Sequence, residues 1–384
     1  MYRKLSAPQI FNGYEILPAG NVLILDHKGA IIDIVNKIDA GDDIQWQEGI
    51  LSPGFINAHC HLELSHMKGI IPKHTGLVDF VMKIVDSRKS SESAIFEAIE
   101  NAEAEMKKNG IVAVGDICNT NHTITQKSKK NLYYHNFLEA SGFPKNAATP
   151  RFSIIENLYH QFAEKLEHHS IVPHAPYSVS TDLLEKITHF YGNEIITMHN
   201  QETEEENEWF KNKSGDFLKL YNQLNIDTSS FDSKGESSLR HFLPYFKTKN
   251  RLILVHNLFT NEEDIAAAKI IFNQESSNLY FCLCPNANVY ISNKLPDINL
   301  FVRNQCNIVL GTDSLASNDQ LSILEEINTL QKAYPDLSLS EMLKWATSNG
   351  AKALKIDDKY GSFEKGKTPG VVLIQNESVV NLEV

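Results

Sequence analysis

Eight short apolar runs through the middle of the chain, nearly all ending in polar residues, constrain this sequence more than any other feature. They are Gly54 to Ile56, Ile111 to Gly115, Leu132 to Leu138, Ile171 to Pro173, Glu194 to Met198, Leu252 to Val255, Leu279 to Cys282 and Ile308 to Gly311. Short, continuous apolar runs of this kind predict strands buried on both faces. Helical stretches fall between them: Glu92 to Asn109, Asp182 to Tyr191, Glu262 to Asn273 and Leu321 to Tyr334. The first carries apolar residues at Ile95, Ile99, Ala102 and Met106 and stops at Asn109-Gly110. Alternating strands and helices predict an α/β fold, here a (β/α)8 TIM barrel. The strands run out into His59 and His61, Asp116, Glu139, His174, His199, His256, Pro285-Asn286 and Asp313, as the catalytic rim of such a barrel does.

The two ends have a different texture. Asn21 to Asp26 and Ile31 to Val35 flank a turn at His27 to Ala30, a hairpin pattern, and Val371 to Ile374 and Ser378 to Leu382 repeat it after the turn-rich Gly361 to Gly370. Residues 1–50 and 356–384 are therefore expected to form one small β-sandwich, with residues 51–355 as the barrel. A formal net charge of −12 and the absence of a Lys/Arg cluster argue against a nucleic-acid face and for a small-molecule substrate. Five scattered cysteines do not resemble a secreted disulfide framework, and no apolar run is long enough for a signal peptide or a membrane span. A soluble, cytoplasmic protein is the expectation.

His59-Cys-His61 follows the first apolar run, and residues at i and i+2 of an extended segment share a face, so both imidazoles can converge on one ion. Taken alone, such a pair is as readily two hydrogen-bonded histidines. His199 and Glu202 leave the fifth run three residues apart, so one could bind metal while the other handles protons. His256 and Asp313 leave the sixth and eighth. Each is individually weak, since a strand-exit His is commonly structural and Gly-Thr-Asp is commonly an Asx turn. Their shared register is the stronger argument. Three nitrogens and a carboxylate from His59, His61, His199 and Asp313 suit one divalent ion, zinc or ferrous iron, with room for a water made acidic by the metal. Cys282-x-Cys284 lacks a second pair at zinc-ribbon spacing, and all five cysteines are read as structural. The acidic run from Glu202 to Glu208 is read, Glu202 apart, as a solvated helical turn.

Pro53-Gly-Phe-Ile-Asn-Ala-His59-Cys-His61, His174-Ala-Pro-Tyr177, His199-Asn-Gln-Glu202, His256-Asn, Cys284-Pro-Asn-Ala-Asn and Gly311-Thr-Asp313-Ser-Leu-Ala-Ser-Asn resemble, in order, the amidohydrolase superfamily. The likeness is greatest to its branch of nucleobase and nucleoside deaminases and triazine chlorohydrolases. It implies a mononuclear site on His59, His61, His199 and Asp313. Glu202 would protonate a ring nitrogen, His256 would position the attacking hydroxide, and Asp313 would pass a proton towards the leaving amine. The implied reaction is hydrolytic deamination of an N-heterocycle, with loss of halide or alkylamine from a similar ring, or guanine-type base deamination, as rivals and a non-catalytic binding barrel as a more distant one. His174 and Tyr177 would contact substrate, and Tyr177 in place of the arginine of guanine-specific relatives favours an adenosine derivative. Residues 76–88 lack the tryptophan and glutamate that such relatives place around the ribose, and Arg88 is read as capping its helix or facing solvent rather than binding a substrate carboxylate. The sequence does not set the oligomeric state, although barrel enzymes of this type commonly pair, which leaves a homodimer open.

Overall fold

The structure, a computed structural model, describes residues 2–246, 249–272, 278–375 and 377–382. Each of the eight apolar runs is a strand: β1 (Phe55–Cys60), β2 (Ile111–Cys118), β3 (Tyr133–Ala140), β4 (His169–Pro173), β5 (Ile195–Asn200), β6 (Arg251–His256), β7 (Leu279–Leu283) and β8 (Asn307–Leu310). They form two parallel four-stranded sheets, β4-β3-β2-β1 and β5-β6-β7-β8. β1 and β5 are buried at every position, which is why they read as unbroken apolar runs rather than as alternation. The sheets meet at both edges near the strand exits. The His199 amide donates to the His174 carbonyl at 3.0 Å, and the Thr312 and Asp313 amides donate to the His59 carbonyl at 3.0 and 3.1 Å.

Helices cover the strands. α1 (Leu77–Ser87) and α2 (Glu92–Lys108) lie between β1 and β2. α2 starts where the Ser91 hydroxyl accepts from the Ala94 amide at 3.3 Å, and it buries Ile95, Ile99, Ala102 and Met106 on one face. It ends at Asn109, and Gly110 follows at φ +76°, a left-handed position that a side chain would strain. The later helices are Thr181–His189, Glu262–Ile271 and Ile323–Ala333, each within two residues of its expected span; Asn273 lies outside the described residues. Ile323 rather than Leu321 opens the last one because the Ser322 hydroxyl, at 3.4 Å from the Glu325 amide, supplies the cap.

The two termini share a sheet. Val371–Gln375 pairs antiparallel with both Ser378–Asn381 and Ile50–Pro53, and that sheet continues through Gln9–Phe11 to Ile16–Leu17. A second sheet holds Arg3–Ser6, Asn21–Leu25, Ile31–Asn36 and Ile44–Trp46. Leu5, Leu23, Leu25, Leu51, Phe363 and Leu373 belong to a core of their own, separate from the larger one around β1 to β8. Among the described residues no helix is long and apolar enough to cross a membrane.

Candidate metal centre and active site

Four donor atoms converge at the exits of β1, β5 and β8. The His61 Nε2 lies 3.2 Å from the Nε2 of both His59 and His199 and 3.3 Å from Asp313 Oδ1, and His59 Nε2 lies 3.5 Å from the same oxygen. Donors about 2.0–2.1 Å from a tetrahedral ion stand about 3.3–3.4 Å apart, so these separations fit one small divalent cation. Hydrogen bonding accounts for them less well. The His199 Nδ1 sits 2.8 Å from the His174 carbonyl oxygen, which can only accept, so the ring proton belongs there and Nε2 offers a lone pair to the cluster. Burial pushes the pKa values of His59 and His199 down, keeping both rings in the neutral form that binds metal.

Local geometry sets the nest. Gly311 lets the β8 exit press against β1: a β-carbon there would lie 2.8 Å from His59 Cβ and 2.9 Å from its carbonyl oxygen. The Asn57 side chain closes the same joint, donating to Thr312 Oγ1 at 2.8 Å and accepting from the Thr312 amide at 3.1 Å. Asp313 takes φ +57°, and the Ser317 hydroxyl donates to its Oδ2 at 2.5 Å, leaving Oδ1 towards the histidines. Burial opposes its ionisation, yet the hydrogen bond with His59 and the neighbouring imidazoles hold its pKa well below the ordinary carboxylate range. At the β6 exit, His256 and Asn257 are left-handed at φ +73° and +57°. Asn257 holds the turn through its amide group, donating to the carbonyls of Leu254 and Cys282 at 2.8 and 3.2 Å.

Glu202 and His256 form the second part of the site. Their Oε2 and Nε2 atoms are 3.6 Å apart, and both side chains are buried. The Asn288 amide nitrogen is 3.2 Å from His256 Nδ1; donation to that nitrogen assigns the ring proton to Nε2. Burial, then the charges of Asp313 and Glu206, push the Glu202 carboxyl well above the usual range, while burial takes His256 down to about 3. Burial thus disfavours the charged form of both groups. His256 also groups with His59, His199 and Asp313, with donor atoms all within 4.8 Å.

His174 is half-buried against His199, with ring centres 4.9 Å apart, and its Nδ1 pairs with Ser178 Oγ at 2.7 Å. Tyr177 is buried, its ring tilted against that of Phe217 with ring centres 4.5 Å apart.

Other carboxylates behave differently from their sequence context. Glu206, expected among the solvated members of the acidic run, is fully buried: its Oε1 accepts from the Gln201 amide at 3.0 Å and from the Ser238 hydroxyl. Asp116 does not join the metal nest. It receives the Leu62 amide at 2.8 Å and the ammonium of the fully buried Lys127 at 2.5 Å. Glu139 approaches His199 Nδ1 at 3.6 Å and accepts from Asn119 Nδ2 at 3.0 Å. Glu63, which the sequence does not single out, is buried two residues beyond His61; its Oε2 accepts from the amides of Asn119 and Thr120 and from the Thr120 hydroxyl. Arg88 is the C-cap residue of α1, its backbone amide donating to the Ile84 carbonyl, and its guanidinium stands 3.9 Å from Glu63.

The α/β fold carries at its strand exits a histidine and aspartate cluster that could hold a metal ion. Residues 50–383 match the amidohydrolase family model, and the chain belongs to the amidohydrolase family. It is similar to an adenosine deaminase of Helicobacter pylori, 28% identical over 84% of this chain and 78% of that protein. It is also similar to a 5-methylthioadenosine/S-adenosylhomocysteine deaminase of Thermoanaerobacter pseudethanolicus, 27% identical over 86% and 74%. The crystal structure of Helicobacter pylori aminofutalosine deaminase with methylthio-coformycin superposes with a TM-score of 0.81 at 25% identity, covering 97% of this chain and 93% of that one. The chain is a hydrolase of carbon–nitrogen bonds.

Proposed function

We propose that this protein hydrolytically deaminates an adenosine derivative, converting the ring carbon that bears the amine to a carbonyl and releasing ammonia. The observation that carries the reading is the buried Glu202 carboxyl, 3.6 Å from His256, beside a cluster of metal-competent donors. The names of the similar proteins point to the same substrate class.

His59, His61, His199 and Asp313 would hold one divalent ion, zinc by their three-nitrogen, one-oxygen set, with ferrous iron as the alternative. When bound, that ion makes a coordinated water acidic enough to act as nucleophile near neutral pH. The chain's own groups do the rest. Glu202, whose burial favours its acid form, donates to the ring nitrogen next to the amine-bearing carbon and makes that carbon electrophilic. His256, with its proton on Nε2, orients the water. Asp313, held by Ser317 through Oδ2, takes the water's proton and delivers it to the departing amine. His174 and Tyr177 flank the ring. For the framework, the two four-stranded sheets are read as halves of one (β/α)8 barrel over residues 51–355, and the terminal sheets of residues 1–50 and 356–384 as a small β-sandwich. Five unpaired cysteines suit a reducing cytoplasm.

The test is ammonia release by zinc-replete protein from guanine, adenine, adenosine, methylthioadenosine, S-adenosylhomocysteine and a chlorotriazine. Ammonia from an adenosine derivative supports the reading. Chloride from the triazine with no ammonia from any nucleoside would replace it.

A further inference from the structure

Glu326 lies on the helix Ile323–Ala333, which follows β8, and its side chain is fully buried. Its two oxygens serve two different loops. Oε2 accepts from the Asn286 amide at 2.8 Å, in the first turn of the helix Pro285–Ser292 that follows β7, and Oε1 accepts from the Asn318 side-chain amide at 2.9 Å, in the turn after β8. Each bond ends close to a group that handles protons. Asn288, two residues beyond Asn286, places its amide nitrogen 3.2 Å from His256 Nδ1. The same Asn318 nitrogen donates to the carbonyl of Thr312, the residue before Asp313, at 2.9 Å. A continuous path of hydrogen bonds and short backbone steps therefore runs from His256 through Glu326 to the Asp313 turn. Both ends of that path are left-handed, His256 at φ +73° and Asp313 at φ +57°, conformations that a residue other than glycine keeps only where its surroundings hold it.

We propose that Glu326 is a positioning residue, which keeps His256 and Asp313 in register with each other across the metal nest. This rests on the deaminase reading above for what those two groups do, and adds what holds them in place. The chemistry selects a carboxylate. The Asn286 amide can only donate, and the Thr312 carbonyl can only accept, which turns the Asn318 NH2 towards both that carbonyl and Glu326. Donors from both loops thus face residue 326. A carboxylate accepts from both, whereas a glutamine of the same shape would aim its own NH2 at one of them and leave a buried donor unpaired. Keeping an acid there is costly, since burial pushes the Glu326 carboxyl up to about 8. A residue that only filled space could be apolar at little cost.

The experiment compares Glu326→Gln and Asn318→Ala with zinc-replete wild-type protein, and takes Lys127→Met as a control that weakens the fold away from these two loops. Three readouts are taken: kcat and KM for the nucleoside that the wild type deaminates, zinc content, and the ring-nitrogen NMR spectrum of isotope-labelled histidine, with the His256 signal identified by its loss in His256→Asn. For Glu326→Gln the expected result is a fall of at least about tenfold in kcat per folded molecule, with KM within about twofold, zinc content unchanged and the His256 signal displaced. Asn318→Ala should show the same pattern at about threefold or more, and it carries the test if Glu326→Gln does not fold. Lys127→Met should leave kcat per folded molecule and the His256 signal as they are. If Glu326→Gln behaves like that control, Glu326 only supports the fold and the proposal is overturned; loss of kcat in step with loss of zinc, or a rise in KM as large as the fall in kcat, overturns it as well. If the wild type releases ammonia from no nucleoside, the deaminase reading fails and the His256 signal decides this proposal: displaced in both variants it supports the link, and unchanged in both it refutes it.

Discussion

The exits of β1, β5 and β8 and those of β2 and β3 read alike in sequence, as apolar runs ending in polar side chains, yet the structure uses them in opposite ways. At β2, Asp116 meets an ammonium and a backbone amide, so its charge is spent inside the fold. At β1 and β5, the His61 ring nitrogen lies 3.2 Å from those of both His59 and His199 with an aspartate oxygen beside it, a set that hydrogen bonding serves poorly and a cation serves well. A strand-exit polar residue is structural when its complement is already in the chain and functional when the complement has to arrive from outside. Glu63 extends the contrast within one side chain, one oxygen satisfied by three donors and the other by none.

The contrast can be broken experimentally. On the functional side, the largest effect is expected for Glu202→Gln, which keeps shape and burial but replaces the acid: turnover should fall by roughly 10²–10⁴ while metal content is unchanged. Near-normal deamination by that variant would remove Glu202 from its role. On the structural side, Lys127→Met leaves Asp116 buried and unpaired and should cost roughly 3–5 kcal/mol in denaturant titrations, with activity per folded molecule retained. A variant of full stability would show that the pair is not what closes the β2 exit.

Gly311→Ala joins both sides, since the added carbon would press on His59 Cβ and its carbonyl oxygen. Roughly 1–3 kcal/mol of stability should be lost together with metal affinity, and loss of stability with metal affinity intact would mean the β8 exit does not set the nest.

The smallest effect concerns pH. Burial raises the Glu206 carboxyl from 4.5 to about 7. The folded protein therefore binds that proton more tightly than the unfolded chain, and stability from this group is full below about 4.5 and declines as pH rises through about 7. Glu206→Gln should flatten the stability profile over that interval; an unchanged slope would show that Glu206 does not contribute to it.

Much of this was legible before any coordinates. The eight strands could be read because burial on both faces leaves a mostly apolar run, interrupted in β3 by the buried His135 and Asn136. His59, His61, His199, Asp313 and Glu202 were legible because each sits at or just past a strand exit in a common register. Glu206 and Glu63 were not, because what buries them comes from far along the chain. Ser238 lies 32 residues beyond Glu206, and Asn119 and Thr120 lie 56 and 57 beyond Glu63. Within the acidic run, nothing local separates Glu206 from Glu204, Glu205 and Glu208, none of which is buried. Lys127 was invisible for the same reason, a lone lysine whose partner is set by tertiary packing.

The central claim is that one ion in the His59, His61, His199 and Asp313 nest supports hydrolysis of an aminated ring. The most direct measurement is to strip the protein with a chelator, add zinc back in steps and follow ammonia release from the responding nucleoside. The account predicts no release from stripped protein and a linear rise that saturates at one equivalent per chain. Full activity without metal, or saturation only at two equivalents, would contradict it.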